Sequence, residues 1–275
     1  MWLERLQNID RRVIYVVLFV ALLIPMLKPI GIPLTVNPTT QQVYDLIESL
    51  DPETDIVMIG MDYSAAGSAD VHPQAVAVAK HLANRGIKSI MVAFVEDGPM
   101  LAERVLKSLG DRVVYGEDIV NLGYLAGGES AVKKFIEQPA TTFTRDHRGT
   151  PVANLPIMKN IKDINDITLI MDFQTGAPGY QEYLRQLPPG GPLYGVGIVT
   201  VSVPNVMPYL NSGQFAGLLP GLRGGAEYEV LLGEPGEGLA RMDAQSLGHL
   251  VIIAFIVVGN VAYFASQRKE KKAKG

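Results

Sequence analysis

Hydrophobic positions fall into two kinds of pattern along this chain. Residues 13–27 (VIYVVLFVALLIPML) and 250–265 (LVIIAFIVVGNVAYFA) are apolar runs without a charged side chain. With their flanks, each reaches the roughly 20 residues that a membrane-spanning helix needs. Between them, short runs of branched apolar residues alternate with segments of helical periodicity. The strand-like runs are DIVMIGMDY (55–63), KSIMVAFV (88–95), RVVYGE (112–117), DITLIMDF (166–173) and LYGVGIVTVSV (193–203). The helix-like segments are TTQQVYDLIESL (39–50), HPQAVAVAKHLANRG (72–86), GPMLAERVLKSLG (98–110), GESAVKKFIEQ (128–138) and GYQEYLRQL (179–187), two of which end in a capping glycine.

Strands that are apolar on both faces and alternate with helices belong in a parallel sheet covered on both sides. The expected fold is α/β: a three-layer αβα Rossmann-like domain with a mostly parallel five-stranded sheet, flanked by N- and C-terminal transmembrane helices. The expected organisation is a cytoplasmic interfacial segment at 1–12, a first span and linker at 13–34, and an extracytoplasmic α/β domain at 35–238. A helix continuing into the second span follows at 239–266, then a basic cytoplasmic tail at 267–275. No small-x-small cleavage site follows the first run, which reads as an uncleaved signal anchor.

Charge orients this arrangement. Arg5, Arg11 and Arg12 precede the first run, and Arg268, Lys269, Lys271, Lys272 and Lys274 follow the second. Cationic flanks resist translocation, so both termini are expected in the cytoplasm and the main domain outside it. Residues 30–245 carry 15 Lys+Arg against 25 Asp+Glu, a net of −10 within a chain of net −4. An acidic exterior repels phosphate backbones, so nucleic acid is not an expected partner. Membrane lipid is expected, as are further copies of the chain or other membrane subunits. The chain has no cysteine, which removes disulfides, thiolate metal sites and cysteine nucleophiles.

Chemistry is expected where open parallel sheets bind ligands, beyond the carboxyl ends of the strands. Asp62 and Ser64 follow the first strand, Glu96 and Asp97 the second, Glu117 and Asp118 the third, and Asp172 with Gln174 the fourth. If these converge, hard oxygen ligands suit a divalent cation or a polyhydroxy ligand. The other reading is that acidic residues simply populate loops and helix caps. A divalent cation is the only cofactor that comes into question, and its identity is open. Catalysis has thin support: Ser64 lacks the G-x-S-x-G elbow, and no G-x-G-x-x-G or Walker loop follows the first strand. Arg145, Asp146, His147 and Arg148 cluster in TRDHRGT and read as a solvated turn.

After the fifth strand, Gly213, Gly217 and Gly221 recur every fourth residue in NSGQFAGLLPGLRGG. On a helix over 205–219 they form a smooth stripe on which a second backbone packs, in the domain itself or on a neighbouring subunit. Arg223 and Glu227 follow the stripe, and Asn260 places an amide within the second apolar run. Together these make Gly213, Gly217, Gly221, Arg223, Glu227 and Asn260 the assembly candidates. The leading expectation is a non-enzymatic scaffold subunit of a homo-oligomeric or larger membrane assembly. A ligand- or cation-binding sensor domain is the alternative, and a metal-dependent hydrolase the third reading.

Overall fold

The computed structural model of the protein describes residues 10–273, with side chains up to residue 267. Most of the expected interfacial segment and the last two residues of the basic tail lie outside the described residues. Residues Leu34–Gly238 form one compact unit, and the two end segments, up to Pro33 and from Leu239, form a second.

Helix α1 is Arg11–Leu27, α2 is Pro38–Glu48, and strand β1 is Ile56–Asp62. Helix α3 (Ser68–Arg85), β2 (Lys88–Ala93), α4 (Gly98–Leu109), β3 (Ile119–Tyr124) and α5 (Glu129–Glu137) follow. After a stretch of 3-10 turns come β4 (Leu169–Gln174), α6 (Tyr180–Gln186), β5 (Leu193–Ile198) and α7 (Val203–Asn211). The last elements are β6 (Gly217–Pro220), α8 (Gly221–Leu232) and α9 (Glu237–Ala273).

The six strands form one sheet of order β3-β2-β1-β4-β5-β6, with every neighbouring pair parallel. The chain winds outward from β1 in one direction and then from β4 in the other. The direction therefore reverses between β1 and β4, where such sheets open a crevice at their carboxyl edge. All seven residues of β1 and all six of β4 are buried, because helices cover both faces of the central strands. One core layer unites Val57, Ile59, Met61, Met91 and Phe173 with Val43 and Ile47 of α2, Val78 and Leu82 of α3, Leu101 and Val105 of α4, and Tyr228 of α8. The other unites Met58, Ile90, Val120, Ile170 and Val196 with Val132 and Phe135 of α5, Tyr183 of α6 and Val206 of α7.

Two strand expectations need correction. The sheet has six strands rather than five, because GLLP (217–220) is an edge strand too short to show a period. The third strand is 119–124 rather than 112–117: Val114 N–H donates to Asp118 Oδ2 at 2.8 Å, Asp118 N–H to Val114 O at 2.9 Å, and Gly116 takes φ +87°, so that stretch is a turn.

The glycine stripe does not form either. The helix expected over 205–219 ends at Asn211, and its three glycines fall on three different elements. Gly213 sits in a turn at φ +77°. In β6, Gly217 lies against α2, where a Cβ would come within 2.5 Å of Val43 Cγ2. Gly221 opens α8 at φ +57° against Thr200. The close packing belongs to Gly225, where a Cβ would sit 3.1 Å from Gln74 N on α3.

In the second unit, α1 has 17 residues, about 26 Å at about 1.5 Å per residue. Lys28 is extended ahead of Pro29, which disfavours helix in the residue before it. Among the described residues, one helix is long and apolar enough to cross a membrane, Glu237–Gln267 of α9, and the first span expected at 13–34 is not one. The two end segments are tied together. Asp243 is buried, and its carboxylate accepts three backbone N–H groups in a row: Ile30 at 2.7 Å, Gly31 at 2.8 Å and Ile32 at 3.1 Å. Gly31 at φ +74° bends the three amides onto one anion. Further along, a Cβ on Gly248 would lie 3.0 Å from Leu22 Cδ2, so α9 approaches α1 closely there and runs antiparallel to it.

Candidate functional site at the carboxyl edge of the sheet

Two of the expected strand-end carboxylates come together, and they do so at the reversal of strand order. Asp172 of β4 lies beside Gly60 of β1, and Gln174 beside Asp62. Side chains two apart on a strand share a face, so Asp62, Asp172 and Gln174 project to the same side of the sheet. Gly60 makes room for the pair: a Cβ there would sit 2.7 Å from Asp172 Oδ1.

Both carboxyls are fully buried, which is costly unless they are bonded or protonated. Asp62 Oδ1 accepts from Phe94 N–H at 2.6 Å and Oδ2 from the Tyr183 hydroxyl at 3.0 Å. Asp172 Oδ2 accepts from the Tyr194 hydroxyl at 2.6 Å and from Gln174 Nε2 at 2.9 Å. Asp172 Oδ1 has no hydrogen-bond partner among the described residues. Burial, then the neighbouring Asp172 charge, pushes Asp62 well above the usual carboxylate range. Burial raises Asp172 to about 7 against the lowering effect of the Tyr194 hydroxyl and of Asp62. At neutral pH the pair therefore keeps at least one proton, because two adjacent buried carboxylates cannot both ionise cheaply.

Gln174 connects this pair to solvent. Its Nε2 binds Asp172, while its Oε1 accepts from Tyr180 N–H at 3.0 Å. It forms the inner wall of an open crevice of about 170 Å³, lined also by Thr175, Tyr180, Glu182, Ser202 and Asn205. That volume is on the order of six waters at about 30 Å³ each, enough for a small molecule. Two of the wall groups are already committed: Thr175 Oγ1 accepts from Ser64 N–H at 3.1 Å, and Glu182 Oε2 accepts from Gly179 N–H at 2.9 Å. The Ser202 hydroxyl and the Asn205 amide make no side-chain hydrogen bond among the described residues, and both line the crevice.

The remaining strand-end candidates do not join the pair. Ser64 is half-buried in the loop after β1, beside Asp97, whose Oδ2 accepts from Ala65 N–H at 2.8 Å. Glu96 is exposed. Glu117 and Asp118 precede β3, so they lie at the amino edge of the sheet, opposite the crevice. Among the described residues, no group of three His, Cys, Asp or Glu side chains could hold a metal ion. The divalent-cation reading therefore has no ligand set among them.

Arg223 and Glu227 serve the fold of their own domain. Glu227 is fully buried and accepts from Thr40 Oγ1 at 2.6 Å, Asn37 Nδ2 at 2.8 Å, Asn37 N at 3.1 Å and Arg223 Nε at 2.7 Å. It fastens α8 to the start of α2 through the backbone and side-chain N–H groups of the N-cap residue Asn37 and the Thr40 hydroxyl. Asn260 Nδ2 donates to Ile256 O at 2.8 Å, so its amide is bonded within its own helix. The cluster around His147 is a turn: Asp146 Oδ1 accepts from Thr150 N–H, and the Arg148 guanidinium stacks 3.6 Å over the Tyr115 ring while pairing with Glu103.

No family model matches the chain, and neither the curated proteins nor the solved structures give a significant match.

Proposed function

We propose that this chain is a membrane-anchored receptor whose Rossmann-like αβα domain binds a small polar ligand in the crevice beside Gln174. The observation that carries this reading is the crevice itself. It opens at the carboxyl edge next to the reversal of strand order, and it is lined by the Ser202 and Asn205 side chains, which have no protein partner among the described residues. The retained proton limits the Asp62–Asp172 pair behind Gln174 to at most one negative charge, and the Ser202 hydroxyl and Asn205 amide suit a hydroxyl-rich or amide-bearing ligand.

The receptor is anchored through α9, the described helix long and apolar enough to cross a membrane, with α1 beside it and the basic end of α9 cytoplasmic. The three-amide clasp on Asp243 and the antiparallel approach of α9 to α1 support this reading, because they make the two end segments one unit. The scaffold reading loses the glycine stripe and keeps only this tie between the two end segments.

The test is a thermal-shift screen of the detergent-solubilised full chain against small polyols, sugars and amino acids, repeated with Ser202→Ala and Asn205→Ala. We expect a saturable rise in Tm with one class, weakened at least tenfold in apparent affinity by Asn205→Ala. A screen without a shift, or a shift that both variants retain, overturns the receptor reading. In that case a symmetric multimer by native mass would favour the scaffold.

A further inference from the structure

A second cavity, of about 340 Å³, lies on the other side of the sheet from the acid pair. It is built where α3 and α4 run side by side and the turn after α8 closes over them. His72, Val76 and Lys80 stand four residues apart on α3, and so on one face of it. Arg104 and Lys107 stand three apart on α4. Packing of the two helices therefore brings three cations and a histidine to one cavity within a domain whose net charge is −10.

These groups differ in how far the protein already satisfies them. Lys80 Nζ lies 3.6 Å from a Glu234 oxygen. The ring of His72 is 4% exposed, and its Nδ1 is 2.7 Å from the buried Tyr63 hydroxyl, which fixes it in the cavity wall. Glu229 also lines the cavity, but its two oxygens accept from Gly236 N–H at 3.0 Å and Gly238 N–H at 2.9 Å. Glu237 stands exposed at the rim. Arg104 and Lys107 enter no ion pair or side-chain hydrogen bond among the described residues. A guanidinium fork and a neighbouring ammonium that form no ion pair among the described residues, with a third ammonium across the cavity, match an anion of high charge density.

We propose that this cavity binds a phosphate group carried on a small organic molecule, with Arg104 and Lys107 as its principal partners and Lys80 opposite them. The volume exceeds that of a bare phosphate and leaves room for a remainder the size of glycerol. The site is independent of the crevice beside Gln174, which lies at the carboxyl ends of β4 and β5 and has a different lining.

The experiment uses the full chain in detergent and in nanodiscs. Probes are inorganic phosphate, glycerol phosphate and uncharged glycerol, read by thermal shift and calorimetry. Nanodiscs of phosphatidylglycerol are compared with phosphatidylcholine. Glycerol phosphate is expected to bind saturably, more tightly than inorganic phosphate, with glycerol inert. The double variant Arg104→Ala/Lys107→Ala should lose at least tenfold in affinity, whereas Lys133→Ala/Lys134→Ala, which removes the same charge from the exposed face of α5, should leave binding unchanged. Stabilisation by glycerol phosphate identifies a soluble phosphoester, and stabilisation confined to phosphatidylglycerol nanodiscs identifies a lipid headgroup. Either result supports the site. Absence of both, or equal loss in the α5 control, overturns it.

Discussion

The Tyr194 hydroxyl donates to Asp172 Oδ2 at 2.6 Å, one strand over and inside a core where both residues are buried. Because burial lifts Asp172 to about 7, the folded state holds its proton more tightly than the unfolded chain, where an aspartate titrates near ~3.9. The stabilisation from that proton is complete below about pH 4 and is lost as pH rises through about 7, with a slope of at most about 1.4 kcal/mol per pH unit for one proton. Asp172→Asn should flatten this loss, so that the variant gains on the parent between pH 5 and pH 8. Urea melts across that range are the measurement. A variant whose stability tracks the parent at every pH would show that the pair does not retain a proton.

Glu227 accepts four hydrogen bonds while fully buried. Glu227→Ala strands donors on the half-buried Asn37 and the buried Thr40 and should cost roughly 3 kcal/mol or more. Arg223→Ala, which removes only the half-exposed partner, should cost about 1 kcal/mol or less. Chemical denaturation of the two variants side by side reads the difference. Equal costs would mean that the Arg223 pair, and not the junction with α2, carries the stability.

The three-amide clasp makes a local prediction. Asp243→Ala should speed hydrogen exchange at Ile30, Gly31 and Ile32 by on the order of 30-fold, equivalent to about 2 kcal/mol of lost protection. Asp243→Asn, which keeps one acceptor oxygen, should fall between. Exchange rates unchanged in both variants would show that the linker is held by something other than this carboxylate.

Because the chain has no cysteine, single cysteines report topology cleanly. Ser130→Cys, on the exposed start of α5, should react with a membrane-impermeant maleimide on intact cells, and Lys274→Cys should react only after permeabilisation. The reverse pattern would invert the proposed orientation. Reaction at both positions before permeabilisation would show that α9 does not cross the membrane.

Much of the fold was readable from local pattern. The branched runs at 55–63, 88–95 and 166–173 became β1, β2 and β4, and glycine stops at Gly86 and Gly110 marked the ends of α3 and α4. Errors arose where local cues conflict. Val113, Val114 and Tyr115 have strand propensity, yet the Asp118 side chain captures Val114 N–H and turns the chain, so the strand starts after Asp118. GLLP is apolar but four residues long, too short for its period to distinguish strand from helix. The candidate site was legible in half: Asp62 and Asp172 announce themselves as acids ending buried strands. Their partners do not. Tyr183 is 121 residues from Asp62, and Gln174 gives no sign in sequence that it bridges a buried acid to an open wall.

The sequence by itself determined where apolar surface must be hidden, and thereby the alternation of strands and helices, the two apolar runs and the sign of charge on each segment. These are properties of short windows, set by periodicity and side-chain chemistry. Only the tertiary structure decided the strand order that sets Asp62 beside Asp172, and the separate places of Gly213, Gly217 and Gly221. It alone placed Arg104 and Lys107 across from Lys80. Burial, desolvation and charge proximity depend on distance in space, and residues far apart in the chain acquire it only when the sheet closes.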